Sequence, residues 1–161
     1  KTEGIVADLS IRENIILALQ AHRGMFRYLS KKRQSAIADE YIKQLGIKVS
    51  DAESPISQLS GGNQQKAMLA RWIATEPKLL ILDEPTRGID VGAKYEIYCI
   101  INGLVAAGKS VVMISSEMPE VLGMCDRIYV MSQGQIVGEM EAKSATQERI
   151  MSSILSVNKG A

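Results

Sequence analysis

The sequence has few of the residues that build disulfide scaffolds, and it contains no long apolar run. Its two cysteines, Cys99 and Cys125, lie among apolar residues without the spacing of a metal site. This pattern favours buried, unreactive thiols and a reducing compartment over a disulfide. No apolar run reaches the ~18 to 20 residues that a membrane-spanning helix needs. The first residues, KTEG, do not form a signal peptide and lack an initiator Met, which predicts a chain cut from something longer.

The charge balance gives no sign of a nucleic-acid or membrane-surface protein. The 161 residues carry a formal net charge of +1, with a pI of about 7.9. No bulk electrostatic field therefore favours an anionic partner. The only histidine, His22, has no partner nearby in sequence and is interpreted as a surface or core residue. The length is sufficient for one domain with a hydrophobic core.

Two helices are predicted in the first third of the chain. Ser10 and Glu13 have the spacing of a capping box, and apolar residues at helical spacing continue to about His22. A second helix is predicted over residues 31–45, with Gly46 as its C-terminal stop. These segments predict a helical layer ahead of the remaining elements.

The most informative stretch spans residues 59–90 and begins with a glycine-rich turn. Gly61 and Gly62 let the backbone approach a ligand closely, because glycine has no Cβ. The helix predicted over residues 63–76 directs its N-terminal N–H groups at this turn, and Pro77 ends it. A helix N-terminus of this kind binds anions, of which phosphate is the most common. A simple helix cap is the alternative reading of the glycine pair.

A short apolar run follows, with two acidic residues at its end. Residues 79–82 (LLIL) predict a strand buried on both faces. Asp83 and Glu84 follow at its carboxyl end, where open α/β sheets bind ligands. A solvated turn is the alternative for this acidic pair.

The rest of the chain alternates between strands and helices, which predicts an α/β core with a largely parallel sheet. Asp90 is expected to cap a helix, and the Ser144 to Gln147 segment has the spacing of a capping box that starts a terminal helix. The predicted elements are helices over 91–107, 119–124 and from Ser144 through 155, and strands over 110–115, 127–131 and 135–140.

Residues 103–110 (GLVAAGKS) match the P-loop pattern letter for letter, but the structural context is reversed. A P-loop follows a strand and opens a helix, whereas here a helix is expected before the motif and a strand after it. Gly108 is therefore predicted to be a helix stop, with Lys109 near the helix C-terminus. Without this match the sequence contains no Walker A motif.

In their order and spacing, the motifs of residues 59–90 resemble the signature motif, Walker B motif and D-loop of ABC ATPases. The segments that carry the resemblance are 59–63 (LSGGN), 79–84 (LLILDE) and 88–90 (GID). The similarity covers about the whole chain, and the segments at 63–66 (NQQK), 86–94 (TRGIDVGAK) and 115–120 (SSEMPE) resemble one branch of the family. That branch is the second nucleotide-binding domain of the tandem ATP-binding subunits of bacterial monosaccharide importers.

The resemblance implies an α/β P-loop NTPase fold of the ABC type that is incomplete. A helical subdomain with the signature helix would occupy residues 8–76, and the C-terminal part of the RecA-like core would occupy residues 77–161. In this family the Walker A motif lies N-terminal to both parts. The resemblance therefore implies that the Walker A portion is absent and that the chain alone is inactive.

Phosphate-contacting roles are implied by the same resemblance. ABC domains pair head to tail, so that the signature turn of one domain contacts the γ-phosphate of ATP held by the other. The D-loop acid would lie at the seam of the pair. The residues with these implied roles are Ser60, Gly61, Gly62, Asn63, Gln64 and Asp90.

Catalytic and metal-binding roles are implied at three further positions. Asp83 would hold Mg²⁺ through water, and Glu84 would orient the attacking water in this half's own site. The family's switch histidine is replaced here by Ser116, which predicts impaired hydrolysis in that site.

The implied function is to power monosaccharide import as a peripheral protein on the cytoplasmic face of the bacterial inner membrane. ATP and Mg²⁺ are the implied cofactors. The implied partners are the first nucleotide-binding domain of the same subunit, the transmembrane permease subunits and, indirectly, a sugar-binding protein outside the membrane, with no nucleic acid. A non-hydrolysing regulatory ABC module and a non-transport ABC ATPase remain alternatives.

Overall fold

The computed structural model describes residues 4–24 and 26–157, and the chain divides into two compact units at the boundary between Val112 and Met113. The first unit contains the N-terminal helices, the glycine-rich turn and the strand that follows it. Its elements are α1 (Ile11–Arg23), α2 (Lys31–Gln44), a 3-10 turn (Ile56–Gln58), α3 (Gly61–Ile73), β1 (Leu79–Asp83) and α4 (Val91–Ala106).

The remaining elements begin with β2, which crosses the boundary between the units. They are β2 (Ser110–Ile114), α5 (Met118–Met124), β3 (Arg127–Ser132), β4 (Gln135–Glu141), a 3-10 turn (Ala142–Ser144) and α6 (Gln147–Val157). Among the described residues, no helix is both long and apolar enough to cross a membrane.

The capping box predicted at the start of α1 is confirmed. The Glu13 backbone N–H donates to Ser10 Oγ at 3.1 Å, and the Ser10 N–H donates to Glu13 Oε2 at 2.9 Å. The Ser10 N–H and the Ser10 hydroxyl both donate to the ionised Glu13 carboxylate and hold the pKa of Glu13 below its usual value. The cap begins α1 at Ile11, and α1 then packs against both α2 and α3 as the predicted helical layer.

A fully buried amide connects α1 to α3 and to the segment before α1. Asn14 Nδ2 donates to the carbonyl oxygens of Val6 at 3.0 Å, Leu9 at 3.1 Å and Ser10 at 3.0 Å. From α3, the buried Arg71 donates Nη2 to Asn14 Oδ1 at 2.6 Å and Nε to the Asn14 carbonyl at 2.7 Å. Burial lowers the pKa of Arg71. The polar groups at this helix crossing are therefore paired with each other.

A second buried cation connects α1 to α2 and to the loop before the 3-10 turn. The Arg12 guanidinium donates to both oxygens of Glu53, from Nε at 2.6 Å and from Nη2 at 3.2 Å. Its Nη1 donates to Gln34 Oε1, and Gln34 Nε2 donates in turn to the Leu29 carbonyl at 2.8 Å. The hydrogen bond from Arg12 holds the pKa of Glu53 below its usual value.

The prediction that β1 is buried on both faces is wrong. Leu80 and Leu82 are buried, but Leu79 is 50% exposed and Ile81 is 62% exposed. The strand thus alternates between a covered and an uncovered face, as the period of two requires. β2 is also less buried than predicted, since Val112 and Ile114 are about half exposed.

The described strands form two two-stranded sheets rather than one largely parallel sheet. β1 and β2 are neighbours, and the Ser110 N–H donates to the Lys78 carbonyl at 2.9 Å. β3 and β4 form an antiparallel hairpin. Its two turn residues, Gln133 and Gly134, both have positive φ, of 50° and 77°, as a type I′ turn requires.

The end of α4 confirms that the P-loop pattern is not a phosphate-binding loop. The motif's first glycine, Gly103, lies within α4, and Gly108 follows the helix with a φ of 81°. The next element is β2 and not a helix, so this segment does not lead into a helix N-terminus that could bind phosphate.

The prediction of a buried thiol is wrong for Cys99, which is exposed on α4. Solvent reaches it because α4 buries mainly Ile97 and Ile101.

The second unit has its own small core, in which α5 and α6 cover the β3–β4 hairpin. The core residues are Ile128, Val130, Met140 and Ile150. Burial raises the pKa of the half-buried Cys125 thiol, in line with the predicted unreactive side chain.

The prediction of a capping box at Ser144 is wrong. Ser144 ends a 3-10 turn, and the Arg149 N–H donates to Thr146 Oγ1 at 3.3 Å, so that α6 begins at Gln147.

Asn14→Leu is expected to destabilise the chain by about 3 kcal/mol in a denaturant-unfolding experiment. Leucine has nearly the same size, but it leaves the Val6 N–H and the Arg71 guanidinium without the Oδ1 acceptor. Asn102→Leu, on the exposed surface of α4, is the matched control and should change the unfolding free energy little. An equal and small effect of both substitutions would contradict a structural role for the Asn14 amide.

Glu53→Gln is expected to lower the unfolding free energy at pH 7 by about 1 kcal/mol, because Glu53 is partly solvated. The pKa of Glu53 is lowered in the folded chain, so its contribution is present above the ordinary value of 4.5 and is lost as the pH falls through the folded value. The stability difference between wild type and variant should therefore begin to shrink below pH 4.5 and vanish once the pH is below the folded pKa. A difference that stays constant across this range would contradict the ion pair, and Glu40→Gln, exposed on α2, serves as the control.

Candidate functional site

The glycine-rich turn opens α3 two residues earlier than predicted. Ser60 is the N-cap residue, with extended backbone, and α3 begins at Gly61. The Ser60 side chain makes no capping hydrogen bond to the helix, and its oxygen instead accepts from Asn63 Nδ2 at 3.0 Å. At its other end, α3 stops at Ile73, and Glu76 has a φ of 53°. The helix therefore ends three residues before Glu76, and Pro77 is not the residue that terminates it.

This uncapped start distinguishes α3 from the other long helices of the first unit. Ser10 caps α1, Ser30 caps α2 and Asp90 caps α4, each by accepting a hydrogen bond from a first-turn backbone N–H. α3 receives no such side-chain cap from Ser60, and its first turn contains no acidic residue. The positive end of its helix dipole is therefore available to an anion.

The two polar residues after the glycines bond to nearby protein groups. Asn63 Oδ1 accepts from the Lys48 N–H at 2.9 Å. Gln64 Nε2 donates to the Leu59 carbonyl at 3.0 Å. Both side chains thereby fix the shape of the turn, and their contact with a ligand stays a prediction.

The structure brings the glycine turn next to the D-loop segment. A Cβ on Gly62 would lie 2.5 Å from the Ala93 Cβ, whereas a Cβ on Gly61 would lie 3.6 Å from Ile89 Cγ2. Gly62 is thus required by the close packing of α3 on α4, and Gly61 is not. Asp90 lies in the same segment, where its Oδ1 accepts from the Ala93 N–H at 2.9 Å and caps α4 as predicted.

Asp83 and Glu84 lie at the carboxyl end of β1, as predicted. Asp83 is exposed and is the last residue of the strand. Glu84 is partly buried and has a φ of 47°, a left-handed conformation that costs a non-glycine residue about 1 to 3 kcal/mol. The Arg87 N–H donates to the Glu84 carbonyl at 3.2 Å across this bend, and Thr86 within it is fully buried. Strained residues of this kind cluster at functional sites.

The described residues contain no group of three or more His, Cys, Asp or Glu side chains that could hold a metal ion alone. This does not conflict with Mg²⁺, which commonly binds through one or two carboxylates together with waters and substrate phosphates. The single exposed carboxylate of Asp83 fits that kind of site. Ser116 belongs to the second unit, where it lies exposed between β2 and α5.

Sequence reasoning missed an ion pair between Lys66 and Glu96. The Lys66 side chain is only 3% exposed, and its Nζ lies 2.6 Å from Glu96 Oε2. The same nitrogen donates to the Gly46 carbonyl at 2.8 Å. The sequence did indicate which way Lys66 points, because Lys66 is four residues after Gly62 and therefore lies on the same helix face. The partner, thirty positions away in sequence, could not be read from any local pattern.

Three relatives of known name are similar to almost the whole chain. The ribose import ATP-binding protein RbsA of Clostridium tetani is 50% identical over 94% of this chain, and the galactofuranose transporter ATP-binding protein YtfR of Escherichia coli K12 is 51% identical over 96%. The fructose import ATP-binding protein FruK of Bifidobacterium longum is 47% identical over 98%. The chain spans only 30%, 31% and 31% of these proteins, respectively.

Solved structures of ATP-binding cassettes share the fold. The dimeric cassette MJ0796 in a post-hydrolysis state bound to ADP and Pi has a TM-score of 0.74 and 25% identity, covering 88% of this chain and 60% of that one. A putative metal-chelate type ABC transporter in an inward-facing conformation has a TM-score of 0.77 and 20% identity, covering 91% of this chain and 58% of that one. These likenesses confirm the predicted α/β fold of the ABC ATPase type.

A sequence profile described as ABC transporter matches residues 2–87, which is more than half of the 161 residues. The match includes the glycine turn, α3 and the acidic end of β1, the same elements that carry the site geometry. The chain therefore belongs to the ABC transporter family.

Proposed function

We propose that this chain is part of an ATP-binding subunit that powers monosaccharide import, and that it supplies the signature turn to an ATP molecule held by a partner domain. The observation that carries the proposal is the uncapped, glycine-led start of α3 beside the D-loop segment. The relatives named for import of ribose, galactofuranose and fructose support the transport role. The cassette MJ0796, which is dimeric with ADP and Pi, supports the pairing of domains.

The phosphate would be bound at the N-terminus of α3. Ser60 offers a hydroxyl that does not cap the helix, and Gly61 is exposed, so a ligand could approach the start of α3 from that side, whereas Gly62 is buried against α4. Asn63 and Gln64 hold the turn in shape through the Lys48 N–H and the Leu59 carbonyl. A γ-phosphate placed here would be stabilised by N–H donors and by the helix dipole, with no need for a charged side chain.

The carboxyl end of β1 would serve this half's own nucleotide site. Asp83 would bind Mg²⁺ through water, and the ion would neutralise phosphate charge when it is bound. Glu84 would accept a hydrogen bond from the attacking water and orient it, since the left-handed backbone directs the residue out of the strand. Asp90 would lie at the seam between the paired domains. Ser116, in place of the family's switch histidine, would leave this site weak in hydrolysis.

The partners follow from the same proposal. The paired domain would be the first nucleotide-binding domain of the same subunit, and the helical layer α1 to α3 would contact the transmembrane permease. The subunit would then be peripheral on the cytoplasmic face of the inner membrane. A sugar-binding protein outside the membrane would act only indirectly, through the permease.

Gly61→Asp, introduced into the complete subunit assembled with its permease, should lower ATP hydrolysis by about 100-fold or more. Its carboxylate would occupy the position of a phosphate oxygen and would repel it. Gly61→Ala is the matched control for the fold, because its Cβ meets only Ile89 Cγ2 at an ordinary 3.6 Å. Alanine should leave a much larger share of the activity, and both variants should melt alike. Wild-type ATPase activity in Gly61→Asp would overturn the assignment of the turn.

Glu84→Gln should reduce hydrolysis by only about 2- to 3-fold, while the equivalent change in the first nucleotide-binding domain should cost ~100-fold or more. The reason is that Ser116 cannot supply the imidazole contact of a switch histidine, so this site contributes little turnover. Steady-state ATPase assays of the two single variants measure the difference. Equal losses would show that both sites hydrolyse ATP and that the histidine is dispensable here.

A further inference from the structure

A buried lysine lies one helical turn behind the glycine turn and faces α4. Gly62 and Lys66 are four residues apart in α3, so they share one helix face. Their neighbours on α4 are Ala93, close to Gly62, and Glu96, which pairs with Lys66 at 2.6 Å. The two contacts form one continuous seam between the first two turns of α3 and the first two turns of α4.

The two contacts control different degrees of freedom. The Gly62–Ala93 contact sets how closely the helices approach, because no side chain fits between them. By itself such a contact does not prevent α3 from rotating about its axis or sliding along α4. The Lys66 ammonium restricts both motions, because its hydrogen bonds to Glu96 Oε2 and to the Gly46 carbonyl fix its position from two directions. The bond from Lys66 also holds the pKa of Glu96 below its usual value.

Stability alone is a poor explanation for a charge at this position. Removing an ammonium from water is costly, and replacing a buried ion pair with an apolar side chain of similar volume is often neutral or stabilising. The positions of the partners strengthen this point. Glu96 is 46% exposed and Gly46 is exposed, so water can solvate both when the lysine is absent. A methionine at position 66 would leave no buried group without a partner.

We propose that Lys66 is a positioning residue, whose ion pair with Glu96 fixes the orientation in which the Ser60 to Gly62 turn meets the phosphate. This inference rests on the proposed function, in which the turn contacts ATP held by the partner domain. Rotation of α3 about its axis moves the N–H groups of its first turn relative to that phosphate. Misplacement of reacting groups by about 1 Å can cost 100-fold in rate. The lysine therefore acts on turnover through geometry and not by touching the nucleotide.

The experiment compares variants in the complete subunit assembled with its permease. Lys66→Met should lower kcat about 10-fold or more, change KM for ATP less than about 2-fold, and leave the melting temperature unchanged or raised. Lys66→Arg keeps a cation that can reach both acceptors, and it should recover kcat to within about 3-fold of wild type. Glu96→Gln should lower kcat by less than Lys66→Met does. The double variant Lys66→Met with Glu96→Gln should be no worse than Lys66→Met alone.

Lys48→Met is the matched control for electrostatics. Lys48 is exposed and also lowers the pKa of Glu96 by its charge, and its bond to Asn63 uses only its backbone N–H. If the Lys66–Glu96 pair acts by position, this variant should keep wild-type kcat. Equal losses in Lys48→Met and Lys66→Met would overturn the proposal in favour of a general charge effect.

Two further outcomes would also overturn the inference. One is a Lys66→Met variant with wild-type kcat. The other is a loss of activity that follows a drop in melting temperature and is not recovered by Lys66→Arg, which would indicate a purely structural lysine. Gly61→Asp separates these failures from a failure of the proposed function. If Gly61→Asp is inactive while Lys66→Met is fully active, only the role of Lys66 is wrong, whereas activity in both would refute the assignment of the turn itself.

Discussion

The close approach of α3 and α4 is the constraint on which the first unit depends. A Cβ at Gly62 would lie only 2.5 Å from the Ala93 Cβ, so one helix start must carry a glycine where the other carries a small side chain. This approach places the start of α3 beside the segment that ends at Asp90. It therefore brings together two motifs that are almost thirty residues apart in sequence, and it does so by packing alone. The two glycines therefore have separate roles: Gly62 permits the close approach of α4, whereas Gly61 is the position at which a ligand is proposed to approach.

Buried polar groups set the arrangement of the helices around this contact. Asn14 and Arg71 connect α1 to α3, while Arg12, Gln34 and Glu53 connect α1 to α2 and the following loop. All of these groups except the exposed Glu53 are buried, and a buried polar group is costly unless its partners are in place. Such networks favour one arrangement over many apolar alternatives. A defined orientation is what the proposed contact between the turn and a phosphate would require.

The parts of the structure that the sequence predicted are those in which cause and effect lie close together in the chain. The caps at Ser10 and Asp90 were predictable because donor and acceptor are three residues apart. The reversed P-loop pattern was also decided locally, by the helix before Gly108 and the strand after it. The same local rule failed at Ser144, because Thr146 offers a competing hydroxyl two residues later.

Features that depend on distant neighbours could not be predicted. The alternation of residues 79–82 (LLIL) between buried and exposed depends on what covers each face of β1, and an all-apolar run does not report this. The Lys66 to Glu96 pair joins two helices that the sequence gives no reason to align. For the candidate site, the sequence located its residues, but the uncapped Ser60, the bend at Glu84 and the contact of Gly62 with Ala93 required the structure.

The missing cap on α3 also links the stability of this helix to ligand binding. A side-chain cap is worth about 0.5 to 2 kcal/mol to a helix, and α3 lacks the hydrogen bond that Ser10, Ser30 and Asp90 supply to α1, α2 and α4. An anion that binds the first-turn N–H groups takes the place of that cap. By thermodynamic linkage, a ligand that binds only the formed helix end also stabilises it, by an amount that grows with ligand concentration. The first turn of α3 would then be most ordered when phosphate is present and would loosen after it leaves, so that a local order–disorder equilibrium accompanies each cycle of the nucleotide.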